Sequence, residues 1–162
     1  MLKKIIFSCV ILLFTYNSCS QKFIPDLGLK TLNGESITSV QAINQDGFTI
    51  ISFWATWCIP CINELDAINE VISEWNMKEN IRVLAISTDD SRSKKRVRPL
   101  INGKDWVFDI VFDTNQEFKR AMGVAGIPHT IVTYKSKIIH RRIGYTPGEE
   151  EDLFMVISNY KQ

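Results

Sequence analysis

The spacing of apolar positions changes several times along the chain, and each change marks an element. Phe48 to Trp54 (FTIISFW) is a short apolar, β-rich run behind Asp46-Gly47, the pattern of a central strand covered on both faces. From Cys61 to Trp75 the period becomes helical. Ile62, Leu65, Ile68, Ile72 and Trp75 recur at three or four positions, and Glu64, Asp66, Asn69 and Glu74 lie between them, which predicts an amphipathic helix. Ile81 to Ser87 (IRVLAIS) reads as a second strand. Strand, helix and strand in that order predict a βαβ unit with parallel strands.

Shorter patterns surround this unit. Leu27 to Leu32 and Glu35 to Thr38 flank Asn33-Gly34, the dipeptide best suited to a tight hairpin turn. Asp89, Asp90 and Ser91 stand where they would cap the next helix. That helix, Ser93 to Asn102, is expected to be short or interrupted because it contains Pro99, and Gly103 ends it. A brief strand at Asp109 to Phe112 and a helix near Gln116 to Met122, closed by Gly123, lead to Gly126-Ile127-Pro128. Ile131 to Tyr134 and Lys137 to Ile143, parted only by Lys135-Ser136, predict an antiparallel pair. Thr146 as cap, Pro147 at the first position and Glu149 in the capping-box place predict a last helix. There is no internal repeat and no sign of a second domain.

The beginning of the chain differs. Lys3-Lys4 precedes an apolar run from Ile5 to Phe14, roughly half the ~20 residues that span a bilayer, as in an export leader. Ser18-Cys19 follows it in the manner of a lipoprotein cleavage site, although Tyr16 stands where a small aliphatic residue is usual. The expected organisation is a leader at 1–18, a lipid-bearing Cys19 opening a tether at 19–26, and one domain at 27–162. A plain cleaved signal or a retained anchor are the alternatives. A chain of 162 residues, 45% hydrophobic and 23% charged, suits one domain, and a formal net charge of +1 gives no reason to expect nucleic acid as a partner.

Of four cysteines, Cys9 lies in the leader and a lipidated Cys19 has no free thiol, which leaves Cys58 and Cys61. Two cysteines three positions apart do not form the framework of a disulfide-stapled domain, so they are expected to be reactive. At the start of a helix the first thiol would have its thiolate stabilised by unpaired N–H groups and the helix dipole, and the second, one turn on, would be shielded. A lone C-x-x-C reads equally as half a zinc site. Beyond the pair, however, the domain offers only His129 and His140 as further good ligands, and neither metal nor cofactor is expected.

The run Phe53-Trp54-Ala55-Thr56-Trp57-Cys58-Ile59-Pro60-Cys61, taken with Pro25-Asp26-Leu27, Asn33-Gly34 and Gly126-Ile127-Pro128, resembles the thioredoxin-like TlpA/ResA family of exported thiol–disulfide oxidoreductases. The resemblance implies an α/β thioredoxin fold, a central mixed β-sheet flanked by helices with an N-terminal β-hairpin extension. It implies a redox-active Cys58–Cys61 disulfide with Cys58 as nucleophile and Cys61 as resolving thiol. It also implies a cis-proline at Pro128, with Trp57 and Ile127 beside the substrate. The implied partners are disulfides of exported proteins, apocytochrome c being the family's best-known class, and a membrane protein that passes electrons across the membrane. A monomer is expected.

The chain departs from some relatives. Ser52 stands where cytoplasmic thioredoxins carry a buried aspartate, and Asp90 matches an acidic position of the ResA type, as a proton-transfer group or a plain cap, with Asp89 the second candidate. His129 reads as a partly buried, hydrogen-bonded strand residue, or else as a charge near the thiols. The basic cluster Lys94 to Arg98 reads as a solvated face, with partner docking as the alternative. An oxidase or isomerase would use the same residues at a different redox poise. Peroxidases of the peroxiredoxin group need a proline and a threonine or serine where Ile51 and Ala55 stand, and copper-delivery proteins of the Sco type use a C-x-x-x-C pair.

Overall fold

The computed structural model describes residues 23–160, so the leader, Cys19 and the first part of the tether lie outside the described residues. Seven strands form one mixed sheet: β1 (Gly28–Thr31), β2 (Ser36–Thr38), β3 (Phe48–Trp54), β4 (Ile81–Ser87), β5 (Asp109–Phe112), β6 (His129–Tyr134) and β7 (Lys137–Ile143). Their spatial order is β2-β1-β5-β4-β3-β6-β7. β3, β4 and β5 run parallel, whereas β6 and β7 on one side and β1 and β2 on the other are antiparallel to their neighbours. Among the described residues the α-helices are α1 (Ser39–Ala42), α2 (Ile59–Lys78), α3 (Val97–Asn102), α4 (Glu117–Ala121) and α5 (Glu150–Tyr160), and a 3₁₀ turn at Lys94–Arg96 leads into α3.

β3 is apolar throughout because both its faces are covered. Phe48 and Ile50 pack with Ile68, Ile72 and Trp75 of α2 and with Leu153 and Ile157 of α5. Ile51 and Phe53, alternating to the other face, pack with Phe118, Met122, Ile86 and Ile131. A third cluster at the carboxyl end of the parallel strands joins Trp54, Ala55, Cys58, Cys61, Leu65, Val97 and Phe112. The opening hairpin extends the sheet by pairing β1 with β5, with Lys30 opposite Phe112, and it turns through Gly34 at φ +88°. Gly47 serves a different purpose. A Cβ there would lie 2.6 Å from Asn44 Nδ2 and 2.8 Å from Asn80 Cγ, in contact with the Asn80 carbonyl that accepts from Phe48 N–H.

The structure moves some of the expected boundaries. α2 begins two residues before Cys61, because Pro60 fits the first turn of a helix, where its missing N–H is not needed. Its polar positions are also not all on the surface, since Glu64 is fully buried. β6 starts at His129, directly after the cis Ile127–Pro128 bond. The last helix begins at Glu150, later than the expected Thr146 cap, because Gly148 at φ +99° interrupts a helical path. Glu149 Oε2 still accepts from Thr146 N–H at 2.8 Å, so the carboxylate reach of a capping box survives as part of a turn.

Candidate active site

Cys58 caps the N-terminus of α2 with extended backbone, φ −95° and ψ 91°, and its carbonyl accepts from Ile62 N–H at 3.2 Å. The helix behind it is 20 residues long, so the sulfur stands at the positive end of a full macrodipole. Cys61 is one turn on and fully buried, whereas Cys58 retains 5% exposure. The two are joined as a disulfide with Cα atoms 5.3 Å apart. Around them the surface is apolar and open: Trp57 is 62% exposed and Ile59 64%. Ile127, before the cis bond, is partly buried against the cluster that contains both cysteines.

The loop from β3 to α2 is held by Asp89. This fully buried carboxylate accepts from Thr56 N–H at 2.9 Å, from Thr56 Oγ1 at 2.8 Å and from Ser87 Oγ at 3.0 Å. Three hydrogen bonds satisfy a charge that would otherwise be costly to bury. Thr88 fastens the same loop, donating N–H and Oγ1–H to the Trp54 carbonyl at 2.8 and 3.0 Å. Asp90 is placed differently. Its Oδ1 accepts from the N–H groups of Arg92 and Ser93, both at 2.9 Å, and from Ser93 Oγ at 3.0 Å, a capping turn in which these bonds, Ser93 first, hold the carboxyl below the usual carboxylate range. It lies on the rim with Trp57, Arg92 and Arg96, around a cleft of about 370 Å³.

Sequence reasoning missed Glu64, three residues after Cys61 and on the same side of α2. Its Oε2 accepts from Ser52 Oγ at 3.1 Å, and its Oε1 accepts from Thr130 Oγ1 at 2.7 Å and from Arg142 Nη2 at 2.9 Å. The ion pair is nearly dry, with Arg142 13% and Glu64 0% exposed. Ser52, at the position noted for lacking an aspartate, thus donates to a carboxylate supplied by the helix. A polar trio, one residue on each of β3, β6 and β7, was the available signal, but nothing local in the sequence aligns Ser52, Thr130 and Arg142.

The two histidines do not converge. In the register of β6 and β7, Thr130 and Val132 pair with Arg142 and His140, so His140 shares the α2 face with Glu64. His129 alternates to the opposite face, paired with Phe53 and Ile143. It is 4% exposed, and neither ring nitrogen has a hydrogen-bond partner among the described residues, contrary to the bonded strand residue expected. Burial, then the charge of Arg141, holds its pKa below the ordinary histidine value.

Residues 21–142 match the AhpC/TSA family. Among curated proteins, thioredoxin-like protein YneN of Bacillus subtilis is 34% identical over 90 residues, which cover 55% of this chain and 51% of YneN. The chain therefore spans about half the length of that relative. Thiol-disulfide oxidoreductase ResA of Geobacillus thermodenitrificans is 27% identical over 127 residues, 78% of this chain and 70% of ResA. Among solved structures, a thioredoxin-like protein from Porphyromonas gingivalis superposes with a TM-score of 0.74 at 34% identity, covering 86% of this chain and 93% of that one. The fold is the thioredoxin-like α/β arrangement that the sequence led one to expect.

Two measurements check this description of the site. Arg142→Met strands a buried carboxylate and should cost about 3–5 kcal/mol, while adding Glu64→Gln should restore part of the loss. Urea denaturation that finds the double variant no better than the single one would show that the pair is not the reason for the cost. For His129, unfolding returns the imidazole to about 6.5, so the unfolded chain takes the proton first. Stability is intact above that value and falls as pH drops through it toward the lower folded value. His129→Gln should flatten the decline between about pH 7 and 5 relative to wild type; parallel curves would refute the assignment.

Proposed function

The chain belongs to the thioredoxin-like AhpC/TSA family, and from that premise we propose that it is an extracytoplasmic thiol–disulfide oxidoreductase that reduces disulfides in exported proteins. The observation that carries this reading is a Cys58–Cys61 bridge at the N-terminus of α2, with Cys58 keeping slight exposure beneath an open apolar rim, Cys61 fully buried, and the cis-proline ahead of β6. The reduced Cys58 thiolate attacks a substrate disulfide, forming a mixed disulfide and expelling the substrate's other thiolate. Cys61, once deprotonated, attacks Cys58 Sγ, which releases the second substrate thiol and leaves the substrate reduced and the Cys58–Cys61 pair oxidised. An external dithiol, supplied by a membrane partner, restores the pair. Apocytochrome c is one candidate substrate, and an oxidase or isomerase would differ in redox poise alone.

The residues around the pair fit this exchange. Trp57 and Ile59 give an apolar rim for an extended chain, and Ile127 flanks it at the cis bond. Asp90 is the proton-transfer candidate that the resemblance supplies, and it stands on the rim of the site beside Trp57, although its Oδ1 is engaged by Arg92 and Ser93. Glu64, with both carboxylate oxygens engaged by Ser52, Thr130 and Arg142, serves to hold the strands and the helix together. Peroxide chemistry is disfavoured, because Ile51 and Ala55 occupy the places of its proline and hydroxyl residue and both are fully buried. A copper site drawing on His129 and His140 is disfavoured by their placement on opposite faces of the sheet. Residues 1–18 are proposed as a leader and Cys19 as the lipid-bearing first residue that ties the domain to a membrane.

In cells expressing Cys61→Ser, mixed disulfides through Cys58 should accumulate on non-reducing gels, while Cys58→Ser should trap few or none. Equal trapping by both variants would reverse the two roles; no trapping with activity retained would remove disulfide exchange altogether. Mass spectrometry of the same native protein should find an acylated Cys19 at its start. A start elsewhere, or a mass without acyl chains, would remove the anchor and leave the exchange untouched.

A further inference from the structure

Between Asp90 and Pro99 the chain carries Arg92, Lys94, Lys95, Arg96 and Arg98 and no acidic residue. These five cations exceed the formal net charge of +1 of the whole chain, so the remaining residues are net acidic. Such a run is ordinarily a solvated face. Three observations set this one apart. First, its position is fixed beside the disulfide: Arg92 and Arg96 line the same cleft as Trp57, the residue immediately before Cys58. Lys94, Lys95 and Arg98 continue the patch around a second hollow floored by Leu32 and Phe112, and Phe112 belongs to the cluster that buries the two cysteines.

Second, two of the cations are held by partners that do not neutralise them. Lys94 Nζ sits 4.3 Å over the Phe112 ring, and Arg98 Nη2 donates to the Leu32 carbonyl at 2.6 Å and to Asn33 Oδ1 at 3.2 Å. These are neutral partners. Among the described residues only Arg92 of the five has a carboxylate in reach, Asp90 at 3.4 Å, and Arg92 itself is 91% exposed. Third, apart from Asp90, which is engaged by Arg92 and by the turn at Ser93, the rim near the disulfide adds no charge, since Trp57, Ile59, Pro60, Ala125 and Gly126 are exposed and uncharged. Five like charges carried in one segment repel one another, and a complementary partner would relieve that repulsion. Because the segment is already anchored to the β1–β2 turn, little ordering would oppose docking.

We propose that the segment from Arg92 to Arg98 is a docking surface for an acidic, extended stretch of the substrate polypeptide beside its reactive cysteine, with Arg92 and Arg96 at the active-site end. The inference rests on the disulfide-exchange reading of Cys58 and Cys61. An extended chain advances ~3.3 Å per residue, so a substrate that presents its cysteine to Cys58 and crosses Trp57 brings residues a few positions away over these arginines. The surface thereby selects among disulfides that the apolar rim alone would accept equally.

Three model disulfide peptides of one sequence, differing only in two flanking positions occupied by Glu, Gln or Lys, test this with the full domain. Wild type should reduce them in the order Glu, Gln, Lys, with kcat/KM differing about tenfold between the extremes at low salt and about twofold at high salt. The double variant R92E/R96E should invert the order. The ratio within each variant is insensitive to the amount of folded protein, so a structural effect does not imitate inversion. Reduction of the Gln peptide without a preference between Glu and Lys, or the wild-type order retained in R92E/R96E, overturns the docking surface and leaves the exchange reading standing. Failure to reduce any of the three takes both down. An unchanged peptide order in R92E/R96E accompanied by loss of binding to anionic phosphatidylglycerol vesicles also overturns it, and assigns the patch to a membrane surface.

Discussion

The arrangement depends on one buried carboxylate. Glu64 sits with no exposure on the helix that carries the redox pair, and a charge in that position is tolerated only when it is paired and hydrogen-bonded. Its partners come from three strands: Ser52 on β3, Thr130 on β6 and Arg142 on β7. Two of them are tied to the site by a short piece of backbone. Ser52 is two residues before Trp54 and the loop to Cys58, and Thr130 is two residues after the cis-proline. The network thus joins the start of α2 to the Ile127–Pro128 strand, the two parts of the site that sequence distance separates most. Arg142 carries the connection to the turn before α5, where its Nη1 donates to the Glu149 carbonyl.

On the other side of the disulfide, Asp89 does similar work for the loop. By accepting from Thr56 and Ser87 it sets the exit from β3, so that Cys58 keeps a little exposure while Cys61 is fully buried. Below the bridge lie the hydrogen-bonded carboxylates Glu64 and Asp89 and the aromatic contact of Trp54 with Trp106 at 5.3 Å. What lies above it is exposed and chemically simple, an apolar rim with a row of cations along one flank. This division suits a reaction in which sulfur geometry must be fixed but partners vary.

Periodicity alone located the central elements: β3, β4, β5 and β7 have the bounds that the apolar runs indicate, because a strand covered on one or both faces writes its burial directly into the sequence. Turn chemistry placed the opening hairpin and the end of α3. Failures arose where a decisive partner is remote. Glu64 fits the polar spacing of an amphipathic helix, and only the convergence of residues 12, 66 and 78 positions away shows it to be interior. The choice between Asp89 and Asp90 was likewise undecidable locally, since both follow the same strand and only alternation with Ser87 turns one of them inward. Gly148 delayed the last helix through a backbone angle that its neighbours do not announce.

The central claim is that the Cys58–Cys61 bridge is a working redox couple and not a structural staple. Equilibration of the purified protein across dithiol and glutathione buffers, with the fraction of free Cys58 and Cys61 thiols read after acid quenching, tests it most directly. A working couple gives one reversible two-electron transition at a potential above about −300 mV, with the fold retained on both sides of it. A bridge that stays closed below that potential, or one whose opening unfolds the domain, would be a structural staple.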